Sequence, residues 1–277
     1  MQQDCFEMMF QALAFIWIGV IGLIACAQTI FTALVVRKVR AYRTPKVDDS
    51  KLPKAAILLC LRGVDPFLKE CLDRLAVQDY PNYEIWIALD STQDPARPVV
   101  EDWLTRHSHL AARLIYLADV SDQASLKTNC LRYTIRQLDA SIGAVVLVDA
   151  DTMVNSAWLR NMVSPLLFNN IGVVTGNRWY DPLTTCWGSL VRYIYNAFSM
   201  SPMYLVQAIW PGSLSMHRNV FAHPDFLSRL RRVSSEDDVI LRTLRDTGME
   251  LCYSADCIML NREECQIGNC YRFIQRQ

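Results

Sequence analysis

A mixed α/β fold, with a mostly parallel sheet flanked by helices and one transmembrane helix ahead of it, is predicted by three features of the 277-residue sequence. Short, continuously apolar runs recur at 55–60, 83–89, 113–118 and 144–148. Strands buried on both faces read this way, and such burial is typical of parallel sheets. Between the runs, apolar residues fall at helical spacing, so strands and helices alternate. Finally, residues 8–36 carry no charged side chain and exceed the ~20 residues that cross a bilayer as a helix.

The apolar segment is expected to be retained as an anchor. A cleaved signal peptide has a basic start and a shorter apolar core, whereas this chain opens with Asp4 and Glu7. Arg37, Lys38, Arg40, Arg43 and Lys46 follow, and the positive-inside rule then places the following domain in the cytosol. Residues 37–54 read as a basic juxtamembrane linker containing two prolines, and residues 55–277 as the folded domain.

Within that domain AAILLC (55–60) is the first strand, and Asp65-Pro66 suits the cap and first position of a helix whose buried face is Leu68, Cys71, Leu72 and Leu75. YEIWIAL (83–89), RLIYLA (113–118), AVVLV (144–148) and IGVVTG (171–176) read as further strands. Helices are expected over 99–110, 125–138 and 237–246. Open α/β sheets bind ligands at the carboxyl ends of their strands. Asp90 follows one strand directly, and Asp149 and Asp151 follow another, so these acids belong to one rim.

Cleaving a sugar from a pyrophosphate leaves a nucleoside diphosphate with added negative charge, which Mg²⁺ or Mn²⁺ held by carboxylates can neutralise. In Asp149-Ala150-Asp151 the small middle residue lets both acids reach one nucleotide and its ion. Asp151 is assigned to the metal and Asp149 to the ribose or the metal. The plain alternative is an Asx turn at a strand end. A haloacid-dehalogenase-type phosphatase would place threonine two positions beyond the second acid, where Met153 stands. The run Ser234-Ser235-Glu236-Asp237-Asp238 suits a helix start, with Ser235 and Asp238 as a capping box. Three adjacent carboxylates exceed what a cap needs, so Asp237 is the candidate general base, with Glu236 or Asp238 assisting.

The order of these motifs resembles the GT-A fold inverting glycosyltransferases, most closely their ceramide glucosyltransferase-like branch, over residues 55–277. The segment LRGVDPFLKECLDRLAVQDYPNYEIWIALDSTQDPA is similar to the family's opening. The resemblance implies that Asp90 contacts the nucleotide. SLKTNCL (125–131) resembles a K-x-N segment, implying Lys127 near the uridine or pyrophosphate and Asn129 supporting its loop. TGNRWY (175–180) and WPGSLSMHR (210–218) resemble acceptor-side segments, which implies Trp179, Trp210, Gly212 and Ser213 on that side. Trp179 and Trp210 read equally as core aromatics. The family continues into a Q-x-x-R-W motif and further membrane elements. Gln277 would be its first residue, leaving the arginine and tryptophan to a longer chain or a partner subunit.

The resemblance thus implies transfer of a hexose, with UDP-glucose as donor, to a lipid hydroxyl such as ceramide. A polysaccharide synthase subunit and a non-catalytic nucleotide-sugar binding protein are the alternatives. Lys plus Arg and Asp plus Glu both total 28, so no charge excess points to nucleic acid. The ten cysteines show no metal or disulfide spacing and read as reduced core residues.

Overall fold

A computed structural model describes residues 2–168, 170–184 and 186–276. Gln277, where the resemblance would start a further motif, lies outside the described residues. The chain divides into two units, Met1–Tyr42 and Arg43–Gln277. The first is a helix, α1 (Gln2–Ala41), which runs on beyond the 8–36 segment through Arg37, Lys38 and Arg40. By length and composition its Gln11–Ala41 stretch is sufficient to cross a membrane. Phe15, Trp17 and Ile24 lie exposed on it.

The second unit carries the sheet. Strand β1 (Lys54–Leu61) leads through α2 (Leu68–Ala76) to β2 (Tyr83–Leu89), then through α3 (Arg97–Arg106) to β3 (Ala112–Tyr116). Helix α4 (Leu126–Ile135) returns the chain to β4 (Ile142–Val148), on the other side of β1. After α5 (Trp158–Val163) come β5 (Ile171–Tyr180), the 20-residue α6 (Trp187–Val206) and β6 (Ser213–His217). Short helices α7 (Arg218–Phe221) and α8 (Phe226–Leu230) precede α9 (Glu236–Asp246), β7 (Glu250–Asn261) and α10 (Ile267–Arg276). The strand order is β3-β2-β1-β4-β6-β5-β7. All neighbours are parallel except β6, which runs against both β4 and β5.

The continuous apolar runs are explained by two cores. Alternate residues of a strand point to opposite faces. Ile57, Leu59, Ile87 and Val146 pack on one side with α2, α3 and α5, while Leu58, Trp86, Val145 and Leu147 pack on the other with α4, α7, α8 and α9. Leu68, Cys71, Leu72 and Leu75 are fully buried, as their spacing predicts.

Several boundaries differ from the expected ones. Helix α2 starts at Leu68 because Asp65 is spent on a preceding turn, in which its carboxylate accepts the Phe67 N–H at 2.8 Å. Helices α3 and α4 end earlier than their patterns suggest, at Arg106 and Ile135. Ser235 occupies the cap position of α9, but its hydroxyl makes no capping bond, so the expected capping box does not form. Strand β5 continues past Gly176 to Tyr180 through a register shift between Thr175 and Asn177. A β-carbon at Gly176 would clash with the Cys257 carbonyl, so here glycine permits close approach and does not end the strand.

Candidate active site

Parallel pairing carries the acids to one edge. Leu61 pairs with Leu89 and Leu59 with Val148, so Asp90 and Asp149 emerge beyond the ends of the two strands that flank β1. Two strand spacings separate their backbones laterally by about 10 Å, with a further stagger along the strands. Asp90 faces the exposed Arg62 at 3.8 Å and lies outside the ion-pair network around Asp149.

That network is centred on Lys127. Its position one residue into α4 is held by Ser125, whose hydroxyl accepts the Thr128 N–H at 3.2 Å. Asn129 ties the preceding loop down, accepting from the Ser121 N–H and donating to the Ser121 and Ala124 carbonyls. The Lys127 ammonium stands 2.8 Å from Asp149 Oδ1 and 3.2 Å from Glu236 Oε1. Burial alone would lower its pKa, but the two carboxylates outweigh burial and leave it raised. One cation therefore joins the strand-end Asp149 to the start of α9, two segments that are distant in sequence.

The three consecutive acids of α9 have different surroundings. Glu236 is buried against Lys127. Asp237 is half-buried, and burial pushes its carboxyl up to about 6, with Glu236 adding to the shift and Lys127 partly offsetting it. Asp238 is exposed and lines a separate cavity of about 290 Å³ with Arg229, Arg232 and Arg242. Helical geometry separates neighbouring side chains by about 100°, which is why the run does not act as one cluster.

Asp151 opens into a polar cavity of about 420 Å³ whose charged lining is Asp151, Arg178, Arg192, Glu263 and Arg272, three cations against two acids. Its Oδ2 accepts from the Asn261 amide at 2.8 Å, and its buried Oδ1 has no hydrogen-bond partner. Burial, and then Asp149, push its carboxyl up to about 6. Arg192 is buried, pairs with Glu263 at 2.6 Å and lies 4.2 Å over the Tyr180 ring. Arg178 packs against Tyr180, Trp210 and Phe273 at 5.1–5.6 Å. Sequence reasoning missed Arg178, Arg192, Glu263 and Arg272. A signal existed for Arg192, a lone charge within the apolar SLVRYIYNAF, since unpaired arginine is rarely buried.

The expected acceptor-side residues separate. Gly212 lies against the Asp149 carboxylate, where a β-carbon would stand 2.5 Å from Oδ2 and overlap the Trp210 ring. Its carbonyl also accepts the Asp149 N–H at 3.2 Å. Trp210 is fixed by its own N–H, donated to Thr175 Oγ1 at 3.0 Å, and its ring reaches Arg178. Ser213, by contrast, is fully buried and accepts from the Trp158 indole. Strand alternation turns Trp179 away from its neighbours Arg178 and Tyr180, edge-on to Tyr193 at 5.3 Å.

Among the described residues, no group of three or more His, Cys, Asp and Glu converges to hold an ion. Asp151 nevertheless fits a hard divalent cation as one ligand of a shell completed by phosphate oxygens, because its buried Oδ1 is without a partner and burial disfavours its charge. Asp149 is already engaged by Lys127.

The family model described as "Glycosyl transferase family 21" matches residues 18–277. A ceramide glucosyltransferase of Komagataella phaffii is 37% identical over 59 residues, which is 21% of this chain and 12% of that protein. An uncharacterized glycosyltransferase of Bacillus subtilis, EpsJ, is 26% identical over 124 residues, 44% of this chain and 33% of that protein. The chain thus matches a third or less of the length of these relatives. Among solved structures, a mannosyltransferase of Pyrobaculum calidifontis, in complex with GDP-Man and Mn²⁺, superposes with a TM-score of 0.58 at 17% identity, over 91% of this chain and 74% of that one. Glucosyl-3-phosphoglycerate synthase of Mycobacterium tuberculosis, in complex with Mn²⁺ and UDP-Glc, gives 0.54 at 14% identity over 84% and 82%. The fold is the GT-A-like α/β architecture of these neighbours.

Proposed function

The chain belongs to glycosyl transferase family 21, and on that premise we propose that it is a membrane-anchored hexosyltransferase moving glucose from UDP-glucose to a lipid hydroxyl, ceramide or a relative, with inversion. The observation that supports this reading is the Lys127 bridge between Asp149 and Glu236, which ties the end of β4 to the first turn of α9, where the half-buried Asp237 follows Glu236. Asp237 accepts the acceptor's hydroxyl proton as that oxygen attacks the anomeric carbon, and its raised pKa makes it a better base than an ordinary carboxylate. Lys127 beside Asp149, and Arg178 and Arg272 in the polar cavity, offset the charge of the departing diphosphate. Asp151 is the ligand for Mg²⁺ or Mn²⁺, with Asp149 beside it, and the ion when bound adds positive charge against the same diphosphate. Asp90 reaches the nucleotide from the neighbouring strand end. Gly212 and Trp210 shape the wall next to Asp149, Ser213 is held next to Gly212 by the Trp158 indole, and Trp179 packs on Tyr193 of α6. Helix α1 is the anchor, and its basic end holds the domain in the cytosol.

Two relatives support this reading, one named for ceramide and one in complex with UDP-Glc. The test is UDP release by the full chain in lipid nanodiscs with UDP-glucose, Mn²⁺ and ceramide. Asp237→Asn is expected to abolish release while leaving Mn²⁺-dependent UDP binding intact. UDP binding without turnover of any UDP-sugar on lipid extracts would favour a non-catalytic binding protein, or a subunit that needs a partner.

A further inference from the structure

Helix α6 is amphipathic in the reverse sense. Ser189, Arg192 and Asn196 face inward and are buried. Trp187, Leu190, Val191, Ile194 and Phe198, at helical spacing, face outward, with Trp187 76% and Phe198 58% exposed. A helix on a water-facing surface shows the opposite pattern. The apolar strip continues onto α10 through Ile267 and Tyr271, and α6 and α10 touch through Tyr195 and Phe273. Leu183, just before α6, is 74% exposed. An exposed apolar area of this extent marks a surface that something apolar covers.

At the first turn of α6 lies a third cavity, of about 440 Å³, lined by Pro182, Trp187, Leu190 and Tyr193 together with the polar Asp181 and Thr184. Its size falls in the roughly 300–1,000 Å³ range of small-molecule sites. It shares one wall with the polar cavity of Asp151, namely Tyr180. On the polar side of that wall are Arg178 and Arg192, and on the other are mostly hydrocarbon and aromatic surfaces. Two adjoining cavities of opposite character, separated by one ring, match a ligand with a polar head and a hydrocarbon tail.

We propose that the cavity between the end of β5 and α6 takes the hydrocarbon chain of an amphiphilic acceptor drawn from the bilayer, whose polar end lies on the Arg178 side of Tyr180. This assignment rests on the lipid-acceptor reading and locates its tail. The exposed strip of α6 is then the surface across which the chain passes from bilayer to cavity.

The test uses the full chain in nanodiscs and a hexadecyl alcohol carrying a mid-chain diazirine, with adducts mapped by mass spectrometry. Labelling is expected in residues 180–193, displaced by hexadecanol and not by butanol. Leu190→Gln, at a half-exposed position the fold tolerates, is expected to raise KM for a long-chain acceptor about tenfold, since pocket methylenes carry discrimination of that order. KM for a butyl acceptor stays unchanged. Adducts confined to other segments, or equal loss for both acceptors, would overturn the assignment. Labelling does not require sugar transfer, so labelled 180–193 without UDP release refutes the transferase reading alone. UDP release with adducts elsewhere refutes the tail site alone.

Discussion

On the side of the sheet formed by β1 to β4, charge is gathered at strand ends and apolar side chains are packed away. On the side formed by β5 to β7 with α6 and α10, arginines are drawn inward onto aromatic rings while leucine, isoleucine and tryptophan are left outside. The first half is a doubly covered parallel sheet, and the two apolar cores on its faces run on under β5 to β7. The second holds a lined polar cavity and an apolar rim at the expense of its own burial. The contrast is one of exposure: the first half gathers charge at its rim over packed apolar side chains, and the second draws charge inward and leaves apolar side chains at its surface.

The largest effects are expected where the halves meet. Asp237→Asn should lower kcat by about 10²–10⁴-fold. The wild-type kcat/KM should rise with pH through about 6, as the Asp237 carboxyl ionises, and then level off. A profile flat between pH 5 and 7.5 would remove Asp237 from the base role. The same group has a stability signature. A carboxyl raised from its unfolded value costs nothing below that value, and the cost grows until pH passes about 6. Asp237→Asn should therefore be more stable than wild type at pH 7.5, by on the order of 1–2 kcal/mol after allowance for partial exposure, and indistinguishable from it near pH 3.5. Urea titrations at the two pH values measure this.

Lys127→Met comes next, because it leaves Asp149 and the buried Glu236 facing each other without a cation. The loss should be about 2–3 kcal/mol, reduced from the range for fully buried pairs because Lys127 is itself partly exposed. Adding Glu236→Gln should recover part of it, which a double-mutant cycle in urea would detect. Additive losses would mean that the bridge between the acidic segments is not energetic. Gly212→Ala should cost about 1–3 kcal/mol by driving a β-carbon into the Trp210 ring and the Asp149 carboxylate, and it should weaken UDP-sugar binding, as isothermal titration would show. The smallest effect is expected for Trp179→Phe, which keeps an aromatic ring against Tyr193. Its activity should match wild type within about twofold and its stability change by less than about 1 kcal/mol. A large loss of activity there would support a direct role for Trp179 on the acceptor side.

Much of the first half was legible in the chain. Runs such as YEIWIAL and AVVLV declare strands covered on both faces, and an acid directly after each declares the rim. The second half was harder to read. Glycine suggests a strand end at 176, but the bulge there passes the chain on to Arg178 and Tyr180. No element was expected over 187–206, where α6 buries Ser189, Arg192 and Asn196 and exposes its apolar residues, the reverse of the usual amphipathic pattern. The Ser235 capping box fits its spacing yet does not form, because the Ser235 hydroxyl makes no bond to the first turn's N–H groups.

Local pattern, by itself, determined the helix preceding the domain, the parallel strands and the placement of Asp90, Asp149 and Asp151 on one rim. These follow from periodicity and from the single direction that parallel strands share. Only the tertiary structure decided that Lys127 spans Asp149 and Glu236, that Asp238 turns to another cavity, and that Arg178 and Arg192 stand inside while Trp187 stands outside. Those outcomes depend on segments brought together across 20 to 110 residues of chain. No local pattern encodes such a contact, because its energy exists only once both partners have been removed from water together.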